Sequence, residues 1–220
     1  MSPFIRVQKV EKDYGPTKVL RGVDLEISAG ERVAIRGASG SGKSTLLYLL
    51  GGLERPGKGS VEVSGKNLAQ MNDEELAAFR NSAVGFVFQF HFLLPSLSAL
   101  GNILLPARIG GHEAKVVEAR ARTLAQRLGV SASLEKWPHQ LSGGEQQRIN
   151  IVRALSLKPP LLLCDEPTGN LDSLNSGKVT ELLGELAQEN KTTLIVVTHD
   201  DKVASAFERK IVIEDGHILR

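Results

Sequence analysis

The stretch GASGSGKS, residues 37–44, decides how this chain is read. Gly37, Ala38, Ser39, Gly40, Ser41, Gly42, Lys43 and Ser44 satisfy G-x-x-x-x-G-K-[ST], the pattern of a phosphate-binding loop. The context fits. RVAIRG, residues 32–37, is an apolar run bounded by glycine and reads as a strand. Thr45, Leu46, Leu47, Leu49 and Leu50 open an apolar helix. The chemistry follows from the residue types. Glycines let the backbone turn tightly and aim successive N–H groups at phosphate oxygens. The helix N-terminus adds a favourable dipole. Lys43 supplies a point charge for the β- and γ-phosphates, and Ser44 supplies a hydroxyl for Mg²⁺. Residues 37–44, with Thr45 behind them, are the predicted nucleotide contacts.

A second signal lies at LLLCDE, residues 161–166, where four apolar residues end in adjacent carboxylates. In open α/β sheets ligands sit at the carboxyl ends of strands, which is where a strand has reason to end in charge. Asp165 reads as the acid that holds Mg²⁺ through its water shell. Glu166 is then placed to polarise a water for attack on the γ-phosphate. Cys164 reads as a small core residue.

A third is LSGGEQQR, residues 141–148. Ser142 and Glu145 make an S-x-x-E capping box at a helix start. An ordinary cap does not explain Gly143 and Gly144, because glycine in a helix costs about 1 kcal/mol relative to alanine. Two glycines leave the backbone open to close approach, so this is a second potential anion site.

The rest of the chain organises around these three. VDLEI (residues 23–27) and SVEV (60–63) alternate like half-buried strands, and TLIVV (193–197) is a solid apolar run suited to a parallel strand covered on both faces. KIVI (210–213) and HILR (217–220) read as a hairpin across Glu214, Asp215 and Gly216. Asn72 caps a helix over 73–80, with Glu75 completing the box. Residues 113–128 place Val116, Val117, Leu124 and Leu128 near one helical face, with Gly129 at C′. Residues 142–157 are helical and stop before Pro159, and Val179, Leu182, Leu183 and Leu186 mark one more helix. Strands thus flank a mostly helical insertion.

Composition agrees. With 220 residues, 41% hydrophobic and 24% charged, the chain suits a globular domain with one sizeable core. A net charge of +2 without a Lys/Arg-rich run lacks the basic stripe of a nucleic-acid binder, so no nucleic-acid partner is expected. A single cysteine excludes an internal disulfide and fits a reducing cytosol. The first residues, MSPFIRVQKVEKDYG, hold no apolar h-region, so no signal peptide is expected.

In order along the chain stand Tyr14, the loop at 37–44, Gln89, LSGGEQQR, the pair Asp165–Glu166, Asn170-Leu171-Asp172 and His199. This ordered set resembles the nucleotide-binding subunit of ATP-binding-cassette (ABC) transporters over nearly the whole chain. The resemblance implies a single ABC ATPase domain of α/β class over residues 1–220. Its P-loop NTPase (RecA-like) core and antiparallel β subdomain would span approximately 1–88 and 158–220, with an inserted α-helical subdomain over approximately 89–157. It implies ATP and Mg²⁺ as cofactors. Tyr14 would stack on adenine. Gln89 would reach both metal water and a moving loop, and His199 would contact the γ-phosphate or the attacking water. The resemblance also implies a dimer. Ser142, Gly143, Gly144 and Glu145 of one copy would close over nucleotide on the loop of a second copy. Chromosome and repair ATPases with the same signature carry long coiled-coil or zinc-binding insertions, and this chain has no heptad run and no cysteine pair.

VGFVFQFHFLLP, residues 84–95, holds Phe86, Phe88, Phe90 and Phe92, four of the seven phenylalanines, inside an uncharged run between Arg80 and Arg108. Gly85, Gln89, His91, Pro95, Asn102 and Pro106 break that run, so it is not read as a membrane span. Val84 to Phe88 reads as the end of a core strand, with Phe86 and Phe88 on one face. QFHFLLP, and PTGNLD after the carboxylate pair, resemble the lipoprotein-releasing LolD, MacB-like and FtsE-like branch of the family. Phe92 stands where LolD-type chains often have a second histidine, and Gly101 where an acid is common. Asn150 is an unusual polar choice inside the signature helix. The resemblance implies an ATPase on the cytoplasmic face of the inner membrane. It would drive an integral membrane subunit that docks near residues 90–95, in an apolar groove suited to a helix. The alternative within the branch is a regulator of cell-envelope processes.

Overall fold

The computed structural model describes residues 2–169 and 173–219. The first half runs β1 (Ile5–Tyr14), β2 (Thr17–Ile27), β3 (Arg32–Arg36), α1 (Lys43–Leu50), β4 (Lys58–Val63), β5 (Lys66–Asn67), α2 (Asp73–Ala83) and β6 (Val84–Val87). It continues through α3 (Ala99–Ile109), α4 (Ala114–Arg127), α5 (Gly143–Leu155), β7 (Leu161–Asp165), α6 (Ser173–Asn190), β8 (Thr193–Val197), α7 (Asp201–Ser205), β9 (Arg209–Glu214) and β10 (His217–Leu219).

The main sheet has the order β10-β9-β3-β8-β7-β6, parallel except for the edge strand β10. Its inner strands β3, β7 and β8 are buried on both faces, which is why they read as unbroken apolar runs, whereas β9 and β10 alternate. Alternate residues feed two different cores. Val33, Ile35, Leu161, Leu163, Ile195 and Val197 pack with Leu46, Leu50, Ile27 and Val61 from α1 and the second sheet. Ala34, Leu162, Cys164, Leu194 and Val196 pack with Ile103, Leu124, Ile151 and Leu183 from α3 to α6. The second sheet is antiparallel, in the order β2-β1-β4-β5.

Local chemistry sets several boundaries. Asn72 and Glu75 form the expected capping box on α2. Asp215 and Gly216 join β9 to β10 with φ of 47° and 81°, the double positive φ of a type I′ hairpin turn. Gly129 follows α4 at φ 67°.

Some expectations need correction. Val116 is 61% exposed and points away from the α4 core face, which carries Val117, Ala121, Leu124 and Ala125. The two valines are adjacent, 100° apart around the helix, and only one can face inward. β6 ends at Val87, one residue short of Phe88, although the Phe86 and Phe88 rings do stack at 5.2 Å and 7°. β1 is absent from the sequence reading because register shifts after Val7 and Val10 break its alternation, with Lys9 at φ 46°. α3 forms despite Gly101 and Pro106, started by Ser98 Oγ accepting from the Gly101 N–H.

Candidate functional site

β3 delivers the chain into the phosphate-binding loop, and two glycines there answer to close packing. A Cβ on Gly37 would sit 2.1 Å from the Ile213 carbonyl oxygen, and one on Gly42 2.7 Å from Leu20 Cδ2. Both have positive φ, 153° and 103°. Gly42 then caps α1, whose first residues are Lys43, Ser44 and Thr45. The Lys43 ammonium folds back on the loop, donating to the carbonyls of Gly37 at 2.9 Å and Ala38 at 2.7 Å. Ser41 Oγ is buried without a hydrogen-bond partner among the described residues. The loop thus holds a bent backbone with a cation at its centre, a ready anion cradle.

β7 brings the carboxylates to the same place. Asp165 Oδ1 accepts from Ser44 Oγ at 3.0 Å and Oδ2 from the Tyr48 hydroxyl at 3.0 Å. Burial raises the Asp165 pKa from its ordinary value, opposed by those two hydrogen bonds. The Tyr48 phenol is pushed up to about 12, first by burial and then by the neighbouring Asp165 charge. Ser44 and Asp165 are hard oxygen donors of the kind a small divalent cation takes.

Glu166 has φ 46°, a left-handed conformation that a non-glycine adopts at a cost of about 1–3 kcal/mol and that clusters at functional sites. Three bonds hold its carboxylate. Oε2 accepts from Thr198 Oγ1 at 3.0 Å, and Oε1 accepts from the His199 backbone N–H at 2.9 Å and contacts His199 Nδ1 at 2.6 Å. The imidazole therefore carries its hydrogen on Nδ1 and keeps Nε2 for a second contact.

These groups share one cavity of about 630 Å³, lined by Ser39, Gly40, Gly42, Lys43, Ser44, Thr45, Asp165, Glu166 and His199, with Tyr14 and Gln89 at its sides. Tyr14 is 44% exposed and has Lys12 Nζ 5.1 Å from its ring centroid. Gly37, Ala38 and Ser41 frame the loop without lining the cavity. Ser142, Gly143, Gly144 and Glu145 are not among the lining residues either. They form the start of α5, with Ser142 and Gly143 exposed and Gly144 and Glu145 half-buried, and Ser142 and Glu145 close the expected capping box. A Cβ on Gly143 would meet nothing within 4 Å. Glu145 is anchored sideways, accepting from Ser133 Oγ at 2.5 Å and Lys136 Nζ at 3.1 Å. Ser133 above all, then the Ser142 backbone N–H and Lys136, pulls its pKa down to about 2. Asn170, Leu171 and Asp172 lie outside the described residues.

The segment after Gln89 is built differently. Phe90 and Phe92 are 68% and 64% exposed, and Phe92 meets the edge of Phe88 at 5.3 Å. Phe88 and Phe92 border a groove of about 490 Å³ with Phe86, Leu105, Ile109 and Leu157. The fold accounts for Asn150. Fully buried, it donates from Nδ2 to the Phe88 carbonyl at 3.3 Å and accepts from Arg153 Nη2 at 2.8 Å. Arg153 in turn donates to the carbonyls of His91 at 2.8 Å and Phe92 at 2.9 Å. The helix carrying the signature thereby clamps the backbone of residues 88–92. Buried Asn102 does the same beyond it, bonding the Leu94 N–H and the carbonyls of Leu94, Leu97 and Ser98.

Tyr48, Thr198, Asn102 and Arg153 were missed from the sequence. Tyr48 alone carried a signal, standing one helical turn past Ser44 on the same face.

Comparison with known proteins places this geometry. The sequence profile described as ABC transporter matches residues 20–169. The lipoprotein-releasing system ATP-binding protein LolD of Cytophaga hutchinsonii is 44% identical over 219 residues, spanning 100% of both chains. Its counterpart from Bdellovibrio bacteriovorus is 47% identical over 96% of this chain and 98% of its own. Among solved structures, the dimeric bacterial ABC transporter cassette MJ0796 superposes with a TM-score of 0.92 at 39% identity, over 98% of this chain and 97% of its own. A post-hydrolysis state of that cassette, bound to ADP and Pi, gives 0.87 at 38% identity over the same shares.

Proposed function

The chain belongs to the ABC transporter family, and we propose that it is the LolD-type subunit that energises a separate membrane protein for lipoprotein release. It is an ATP-binding cassette that hydrolyses ATP. The observation that carries this is the convergence of the Lys43 loop and the carboxylates of Asp165 and Glu166 on one cavity.

The donor set fits Mg²⁺. Ser44 and Asp165 offer one hydroxyl and one carboxylate, and Gln89 stands at the same cavity, leaving the remaining positions to phosphate oxygens and water. A bound Mg²⁺ would draw charge from the β- and γ-phosphates. The loop N–H groups and Lys43 hold the phosphates, and Tyr14 stacks the adenine. Glu166 takes a proton from the attacking water. His199 and Thr198 fix its carboxylate, and Nε2 of His199, left as an acceptor, takes a hydrogen bond from the attacking water. The start of α5 acts on a second copy of the chain: open space over Gly143 lets a phosphate approach the helix N-terminus. The dimeric assembly of the MJ0796 cassette supports this reading.

Among the described residues no helix is long and apolar enough to cross a membrane. The groove beside Phe92 suits an apolar helix from the membrane subunit, received at the cytoplasmic face of the inner membrane. Two experiments test the proposal. Glu166→Gln is expected to bind ATP, lose turnover and accumulate dimer on size exclusion; parental turnover would remove Glu166 as the base. A detergent pull-down is expected to retain a lipoprotein-releasing membrane subunit. DNA-stimulated ATPase activity with no membrane partner would overturn the assignment.

A further inference from the structure

Tyr48 lies outside the phosphate-binding pattern and does not line the nucleotide cavity. Yet its hydroxyl bonds Asp165 Oδ2 at 3.0 Å, while Ser44 Oγ bonds Oδ1 of the same carboxylate at 3.0 Å. A carboxylate gripped at one oxygen swings about its terminal torsion, which is a broad well. One gripped at both oxygens does not. Ser44 and Tyr48 are four residues apart on α1, so a single rigid helix face sets both grips. The far end of the phenol is fixed too, because its ring packs against Phe88 with centroids 6.4 Å apart and a 57° tilt.

From this we infer that Tyr48 is a positioning residue for the metal-binding carboxylate. Its hydroxyl holds Oδ2 of Asp165 and thereby presents Oδ1, beside the Ser44 hydroxyl, to the cation. The inference rests on the Mg²⁺ reading above. Tyr48 stands outside the lining of the cavity and acts through Asp165.

Tyr48→Phe removes the hydroxyl and keeps the ring against Phe88. Mn²⁺, a spin-active stand-in for Mg²⁺, is titrated into protein saturated with a non-hydrolysable ATP analogue and followed by electron paramagnetic resonance. The half-saturating Mn²⁺ concentration is expected to rise about tenfold, the scale of one hydrogen bond to a charged group. Affinity for the analogue without metal is expected to stay within about twofold, since the loop holds the phosphates independently. In steady-state assays the Mg²⁺ requirement should rise in step, with turnover recovering at high Mg²⁺. Tyr48→Leu, which also removes the ring, should show the same metal loss together with a lower thermal midpoint. If Tyr48→Phe lowers the midpoint but leaves the Mn²⁺ curve in place, the residue is structural and the inference is wrong. If the parent itself shows no saturable Mn²⁺ site, the Mg²⁺ reading fails first.

Discussion

Replacing Glu145 with glutamine tests whether charge, and not only capping, holds the start of the signature helix. Glutamine also serves at the third position of a capping box, so the bond to the Ser142 N–H survives. What is lost is the negative charge that takes the bonds from Ser133 and Lys136. A pKa drawn from 4.5 down to about 2 corresponds to at most about 3 kcal/mol of stability at neutral pH. The side chain is 22% exposed and Lys136 is 42% exposed, so solvent screening brings the expected loss to about 1–2 kcal/mol. In urea denaturation at pH 7 this is a midpoint lower by roughly 0.5 M. The sign of the pH dependence follows from the depressed pKa. The contribution is complete above pH 4.5 and is lost as pH falls towards 2, so the gap between parent and variant should shrink by about half near pH 3. Comparing the two proteins at each pH cancels the titration of every other carboxylate. Equal midpoints at pH 7 would refute the reasoning, and a gap unchanged at pH 3 would show that geometry, not charge, carries the effect.

Asn150→Ala leaves the Phe88 carbonyl and one Arg153 N–H unpaired in a buried place, at a cost of about 1–3 kcal/mol, readable as a lower thermal midpoint; an unchanged midpoint would dismiss the clamp. Gly37→Ala drives a methyl into the Ile213 carbonyl, 2.1 Å away, so the loop must shift; affinity for a fluorescent ATP analogue should fall at least about tenfold, and retained affinity would contradict the cradle. Phe90→Ala alters an exposed ring, so stability should change by less than about 0.5 kcal/mol while co-purification of the membrane subunit drops; loss of stability with the complex intact would make the ring part of the core.

What the sequence disclosed and what it hid follow one physical division. β3, β7 and β8 were legible because a strand covered on both faces must be apolar throughout, and apolar runs between glycine and charge announce themselves. β1 was hidden because shifted register at Val7 and Val10 destroys the alternation by which a half-covered strand is recognised. α3 was hidden because Asn102 and Pro106 are read as breaking the apolar run, while the compensation lies in the caps and in Asn102 itself, whose four bonds tie residues 94–98 to the helix.

The site divides the same way. Lys43, Ser44, Asp165 and Glu166 were visible because a phosphate cradle and a carboxylate at a strand tip each need fixed residue types at fixed spacing. Asn150, Arg153 and Thr198 obey no such spacing, and Tyr48 only the helical turn that separates it from Ser44. Each is defined by a partner distant in sequence: Asp165 for Tyr48, Phe88 for Asn150, Phe92 for Arg153, Glu166 for Thr198. A tyrosine in an apolar helix and an asparagine in another are ordinary until the fold sets them beside a carboxylate or an orphan carbonyl. Buried polar groups must be paired, so a polar residue that interrupts an apolar helical face is itself evidence of an unseen partner. By that rule Asn150, from its place in the signature helix alone, demands a hydrogen-bonding partner. The fold decides which one. It is the carbonyl of Phe88, the residue whose ring meets Tyr48 and whose neighbour, Gln89, enters the nucleotide cavity.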